Sequence, residues 1–300
     1  MQMNVELIDL RLFVNIAECK NLTHGAERSF LSPPAASARI KSLELECGQQ
    51  LLHRRNRGIS LTSAGDLFLR QARLVLRQMD FLVEEMTSSE AGHIRLFANT
   101  TAVTEFLPEI LAAFLAERPG VTVDLQERLT HDIVRSVLDG TADLGIVSGD
   151  GFDPSLESIR FSTDQLLLAT PIDHPLAKRA GVSLSDTLEF EHIGLHDGST
   201  LLDFLRRQYR RGGYDRTLRV QVRSFEAMCR VIEAGVGIGV VPESAARRHA
   251  KTMKIALLAL KDEWASRDRS VLVRSRDALP GAAHALIDML IDEAAGGKKA

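Results

Sequence analysis

NLTHGAERSFLSPPAASARIKSLELECGQQLLHRRNRGISLTSAG, Asn21 to Gly65, decides how the front of this chain folds. Ser32 suits a helix cap, because its side-chain oxygen can accept an orphan N–H of the first turn. Pro33 follows at the first helical position, where a missing N–H loses no bond. Ala36, Ile40 and Leu43 then recur at four and three, and Gly48 stands where a helix would stop. A shorter helix from about Thr23 to Phe30 packs Ala26 inward, and Leu10, Phe13 and Ala17, with Leu12 and Ile16 beside them, line a first helix. Two short helices, a tight turn and a third helix with one polar face predict a helix-turn-helix over Asn21 to Ile40.

The 300 residues hold 37 Lys and Arg against 40 Asp and Glu, a net charge of −3, so nothing global advertises a polyanion or a membrane. Between Arg28 and Thr62, however, six cations (Arg28, Arg39, Lys41, Arg54, Arg55, Arg57) meet only Glu44 and Glu46. The plain explanation of a charge run is a solvated face. Here three of the arginines sit in HRRNRGISLT, a basic loop with a glycine turn and a strand. That is the chemistry of a wing gripping phosphate oxygens beside a helix in the major groove. The candidate DNA contacts are therefore Thr23, Ser32, Pro33, Pro34, Ser37, Arg39 and Lys41, with Arg54, Arg55 and Arg57 on the wing.

From Ala64 to Met86 the pattern stays helical. Phe68, Ala72, Val75, Met79, Leu82 and Met86 recur at alternating steps of four and three, the spacing of a coiled-coil seam. A helix of about 23 residues is roughly 34 Å long, more than a small three-helix unit can cover, which points to dimerisation.

These motifs resemble the DNA-binding end of the LysR-type transcriptional regulators. Ser32, Pro34, Ala35, Ser37, Ile40, Leu43 and Glu44 fall in register with the family pattern, as do Gly48, Leu52, Arg54, Arg57, Leu61, Thr62, Ala64 and Gly65. The match departs at three places. Pro33 replaces a glutamine, Ala38 a basic residue and Gly25 the commoner alanine, so two side chains capable of directional base contacts are missing. The resemblance implies a homodimer through the long helix, a homotetramer beyond it, and a partly palindromic double-stranded operator, since half-sites mirror protein symmetry.

After TSSEAGH (87–93), small and polar, short β-rich runs alternate with helical stretches. HIRLFA (93–98), VTVDLQE (121–127) and ADLGIV (142–147) read as strands of a parallel sheet with right-handed crossovers. IRFSTDQLLLAT (159–170), HIGLH, LRVQVR, GIGVVP and RSVLVRS continue the alternation, with one helix spanning Val103 to Leu115 and others near 200–211, 225–234 and 280–294. The family resemblance implies a two-lobed α/β effector domain like a type II periplasmic binding protein, behind an all-α winged helix-turn-helix and a linker helix. The expected division is 5–62 for the winged domain, 63–89 for the linker and 92–296 for the effector domain. Lobe I would hold 92–160 and 267–296, and lobe II 161–266.

Ligands of open α/β sheets bind beyond the carboxyl ends of the strands. Asn99, Thr100, Thr101, Ser148 and Gly149 stand there in the first lobe, and Ser199, Thr200, Ser224 and Phe225 in the second. Each Ser or Thr is singly explained as a helix cap. Their convergence on one cleft, with helix N-termini beside them, predicts a small anionic effector.

An enzyme finds no support in these residues. GVGIGV (235–240) follows a helix and precedes a strand, the reverse of a dinucleotide fingerprint. No metal spacing occurs among the nine histidines and three cysteines, and Cys229 lies on an apolar face. No cofactor and no metal are expected. The first 20 residues lack a secretory pattern and no apolar run approaches membrane-span length, which with few cysteines predicts a cytoplasmic protein. A cytoplasmic solute receptor, or an enzyme with a DNA-binding appendage, is the competing reading; the helix-turn-helix opposes the first and the lack of a catalytic set the second.

Overall fold

The computed structural model describes residues 5–55, 58–87, 92–215 and 217–296. Leu12, Phe13 and Ile16 of α1 (Leu7–Cys19), Ala26 of α2 (Leu22–Arg28) and Ala36, Ile40 and Leu43 of α3 (Pro33–Cys47) close a small core. Ala17 stands beside it, half-buried. Ser32 caps α3 by accepting the Ala35 N–H at 3.4 Å, and Gly48 ends it in the left-handed region at φ 64°. A Cβ on Gly25 would lie 2.5 Å from Ile16 Cγ1 and 2.6 Å from Ile16 Cα. The two helices cross too closely for alanine, which explains the departure from the family pattern. β1 (Leu52–Arg55) and β2 (Gly58–Leu61) pair antiparallel as the wing.

Beyond residue 91, β3 (Gly92–Ala98), β4 (Val121–Glu127) and β5 (Leu144–Ser148) are parallel in the order β4-β3-β5. They are joined by α5 (Thr100–Glu105), α6 (Leu107–Glu117) and α7 (Thr130–Leu138). Sequence periodicity predicts one helix through Val103 to Leu115, but the chain breaks at Phe106, φ −142°. Pro108 lacks an N–H, and in an unbroken helix its ring would strike the carbonyl of Thr104.

The next strand, β6 (Glu157–Pro171), is shared by both lobes. Up to Gln165 it pairs antiparallel with β12 (Ser266–Val273), which in turn pairs with β5. From Leu166 it pairs with β10 (Gly239–Pro242) and β11 (Ile255–Leu260). The partner exchange thus falls at Gln165/Leu166, not near residue 160. The reason is in the burial: Leu166 to Thr170 is almost continuously buried, as a strand covered on both faces must be, whereas the earlier half is largely open to solvent. β7 (Gly181–Val182) extends the second lobe beside β11, and β8 (Ile193–Leu195) pairs in parallel with β9 (Val220–Val222). α8 (Thr200–Arg211), α9 (Phe225–Glu233) and α10 (Glu243–Ala250) cover that lobe, and α11 (Gly281–Gly296) returns to the first.

α4 (Ser63–Thr87) ties the two halves together. Its front end packs on α1, with Phe68 edge-on to Phe13 at 5.0 Å. Arg73 reaches Glu18 of α1 at 3.5 Å and Asp139, just after α7, at 3.7 Å. One turn on, buried Arg77 donates to Asp143 at 2.9 and 2.7 Å and to the His93 carbonyl at 2.6 Å. Arg95 donates to the same carboxylate at 2.7 Å, and the Phe81 ring lies 4.2 Å under the Arg77 guanidinium.

Burial alone would raise the Asp143 pKa; the hydrogen bonds and charges of Arg95 and Arg77 outweigh it and hold the carboxyl below its ordinary value. A depressed carboxyl contributes stability that is fully present above its unfolded pKa of about 3.9 and is lost as pH falls toward the folded value. Arg77→Ala should cost about 3 kcal/mol at pH 7, the low end for breaking a buried ion pair, because Arg95 remains. Urea denaturation of the variant at pH 7 and near pH 2.5 should also show a smaller acid-side loss than in the parent.

Candidate functional site

The outer face of α3 is set by its core contacts. With Ala36, Ile40 and Leu43 buried, Ser32, Pro33, Pro34, Ala38, Lys41 and Ser42 are exposed and Ser37 is half-buried. Thr23 is exposed at the start of α2, its N–H held by Asn21 Oδ1 at 2.8 Å. Arg39 is a correction to the candidate set. Its Nε donates to Asp9 Oδ1 at 2.7 Å and its Nη2 to Glu6 Oε2 at 2.5 Å, so it is drawn to α1 and away from the outer face. Its position, two residues from Ser37 and Lys41, lies half a turn round the helix from both.

Glu44 positions the wing. Its Oε1 accepts the N–H groups of Leu51 and Leu52 at 2.8 and 3.0 Å. The Ile59 N–H donates to the Lys20 carbonyl at 3.0 Å, fixing the wing against the α1–α2 turn. Register places Arg54 opposite Ile59 and Arg55 opposite Gly58. Arg57 lies outside the described residues, as do 88–91 of the expected domain boundary and 297–300 of the tail.

Along α4 the seam divides. Ala72 is 2% exposed and Phe68 is spent on Phe13, so neither is open to a partner. Further on, Val75 is 46% exposed, Leu82 50% and Met86 78%, with Met79 half-buried among them and Val83 exposed beside them. That second half is the uncovered apolar face.

Between the lobes lie two cavities that share Leu129. One, of about 410 Å³, is lined by Thr100, Glu127, Arg128 and Asp132 from lobe I and by His196, Gly198 and Arg223 from lobe II. The other, of about 350 Å³, is lined by Thr130, Val134 and the loop Asp150 to Asp153, against Thr200, Asp203 and Arg207 of α8. Thr200, Asp203 and Arg207, at steps of three and four, form one stripe of α8.

Several expected residues are otherwise engaged. Thr100 Oγ1 donates to Glu127 at 2.6 Å, a carboxylate and not a free anion-binding hydroxyl. Asn99 caps α5 through the Ala102 N–H and also donates to Ser148 Oγ at 3.3 Å. Ser224 caps α9 through the Ala227 N–H, and Phe225 is a core side chain. Asn99, Thr101, Ser148, Gly149, Ser199, Ser224 and Phe225 do not line the two cavities. Thr100 and Thr200 do. In contrast, Thr130 Oγ1, His196 Nδ1, Ser199 Oγ and Thr200 Oγ1 are buried with no hydrogen-bond partner among the described residues.

The residues that sequence reasoning missed follow β4. Glu127 to Leu129 stand at its carboxyl end, so the strand-end rule could have found them. Asp150 to Asp153 follow the carboxyl end of β5 and fall under the same rule, whereas Asp203 and Arg207, inside α8, carry no such local signal. Cys229 is buried, which pushes its thiol up to about 11, far from a nucleophile's range.

Two family models cover the chain. Residues 7–66 match the bacterial regulatory helix-turn-helix protein of the lysR family, and residues 87–295 match the LysR substrate binding domain. The chain belongs to the LysR family of transcriptional regulators and is not an enzyme. It is similar to the uncharacterized HTH-type transcriptional regulator YnfL of Escherichia coli, 29% identical over 266 residues, covering 87% of this chain and 90% of that one. The RuBisCO operon transcriptional regulator of Allochromatium vinosum is 26% identical over 296 residues, 98% of each chain. In fold the chain matches a full-length OxyR variant from Pseudomonas aeruginosa, with TM-score 0.73, 23% identity and coverage of 97% and 98%. Full-length CbnR complexed with its target DNA gives TM-score 0.63 at 23% identity, covering 97% of this chain and 100% of that one.

Glu44→Ala should leave two wing amides without their acceptor and cost the winged domain about 1–3 kcal/mol, the usual price of unpaired buried polar groups. Duplex affinity measured by fluorescence anisotropy should fall with it, while the thermal midpoint of the effector domain stays put.

Proposed function

We propose that this regulator binds a partly palindromic operator as a homodimer, assembling further to a homotetramer, and that a small molecule with an anionic group sets its response from the cleft between the lobes. The observation that carries the effector reading is the set of unpartnered buried groups at that cleft. Thr130 Oγ1 and Thr200 Oγ1 line one cavity from the first turns of α7 and α8. A buried hydroxyl without a partner is costly. A ligand oxygen at these two helix N-termini would satisfy the hydroxyls and meet the favourable end of the helix dipoles. Arg207 and Arg223 add positive charge, while Asp150, Asp153 and Asp203 suit hydrogen-bond donors elsewhere on the same ligand.

The ligand acts by differential affinity for the two lobe arrangements. It needs no cofactor or metal, and the regulator works where its DNA is, in the cytoplasm. No helix among the described residues is long and apolar enough to cross a membrane. On the DNA side, Ser37, Lys41 and the wing residues Arg54, Arg55 and Arg57 approach the duplex with α3 in the major groove.

Thr200→Val keeps the side-chain volume and removes one hydroxyl. By calorimetry it should lose about 1–3 kcal/mol of effector affinity, with operator affinity in the absence of effector unchanged. Equal effector affinity in variant and parent would move the ligand away from α8.

The homodimer reading rests on the exposed second half of the α4 seam. Val75→Glu places a charge on a half-exposed position, so chain stability should stay within about 0.5 kcal/mol of the parent. Sedimentation should nevertheless show loss of the dimer, and operator binding should disappear with it.

A further inference from the structure

The centre of the outer face of α3 is a single line of side chains, Pro34, Ala38, Lys41 and Leu45, at steps of four, three and four. All four are exposed, Leu45 to 72%. Pro33 and Ala35, also exposed, flank the line at its start. The arginine nearest to it, Arg39, is committed to Asp9 and Glu6 on α1. The first two turns of this line therefore present a proline ring and a methyl group, with half-buried Ser37 to one side, and Lys41 is the first long polar side chain on the line.

A recognition helix meets base edges mainly through its N-terminal residues. A proline ring and an alanine methyl can neither donate nor accept a hydrogen bond there. Of the four bases, thymine alone offers a matching apolar group in the major groove, its C5 methyl. Cytosine at the same place would turn its N4 donor toward these groups and leave it unpaired. We propose that this chain reads its operator by burying thymine methyls against Pro34 and Ala38, with Lys41 supplying the polar contact of that line one turn further along. The inference rests on α3 entering the major groove as the recognition helix. It makes Ala38 a specificity-determining residue and not a mere loss of the basic side chain usual at its position.

The test begins with selection of bound duplexes from a randomised pool by the full-length protein. Each thymine of the selected site is then replaced singly by uracil, which removes the methyl and leaves the base pair and its hydrogen-bonding edge intact. Affinity should fall about fourfold at each position beneath Pro34 or Ala38, the effect of one buried methyl-sized group. The salt dependence should stay as it was, because no phosphate contact is touched. Ala38→Ser, compatible with an exposed helical position, should bring the thymine-to-uracil ratio toward one at its own position while sparing that under Pro34. A selected consensus whose thymines and uracils bind equally at every position overturns methyl reading while leaving sequence-specific binding in place. A pool with no enriched sequence overturns both.

Discussion

One buried carboxylate holds the effector region in its shape. Asp164 sits on β6, just before that strand exchanges the partners of one lobe for those of the other, and is fully buried. It accepts from Arg267 and, at 2.8 Å, from Arg269, both on β12. Arg267 lies over Phe204 of α8 at 4.9 Å, and Arg269 over Phe106 at 4.7 Å. Each guanidinium thus leans into a different lobe while sharing a single anion. Three charges in a buried site are tolerable only when paired this closely, so the crossing cannot lose a member cheaply. A second tie spans the lobes, where Arg248 of α10 pairs with Glu105 and donates to the Thr104 carbonyl at 3.2 Å. That is the carbonyl Pro108 cannot bond, so the break between α5 and α6 creates the acceptor that the other lobe uses.

The same economy of contacts joins the cleft to the DNA-binding end. α7 begins with Thr130 at the cleft and is followed at its other end by Asp139, which meets Arg73 of the linker helix. Arg73 in turn meets Glu18 on α1, which packs on both α2 and α3. The turn after α7 carries Gly140 in the left-handed region at φ 73°, which favours glycine, and Leu74 of the linker packs against it. Packed atoms and ion pairs thus run without a gap from α7 through Arg73 and Leu74 of the linker helix to Glu18 of α1.

The winged end was legible because its signals are local. Ser32, Pro33 and Gly48 mark the limits of α3 through cap chemistry, and Ala36, Ile40 and Leu43 fix its buried face by spacing alone. The basic wing, the long seam on α4 and the strand–helix alternation beyond residue 92 are likewise properties of short windows. The cleft was only half legible. A rule about strand ends finds Thr100 and Thr200 but also collects Asn99 and Ser224, whose side chains are spent on capping their own helices. It does not reach Asp203 and Arg207, which lie one and two turns inside α8.

By itself, then, the sequence determined the family, the helix-turn-helix, the linker and the α/β character of the remainder, since each follows from periodicity and caps within a few turns of chain. Tertiary structure alone decided which side chains are free to act. Arg39 stands half a turn from Ser37 and Lys41, and Glu6 and Asp9, about thirty residues away in the chain, hold its guanidinium. Phe68 and Ala72 continue the seam of Val75 and Leu82, yet Phe68 is set against Phe13 of α1 and Ala72 is buried, while the second pair stays open. Thr100 carries the right hydroxyl at the right strand end, and Glu127 from the neighbouring strand takes it. In each case the deciding partner is distant in sequence, and competition for a hydrogen bond or an apolar surface between distant segments leaves no trace in any local pattern.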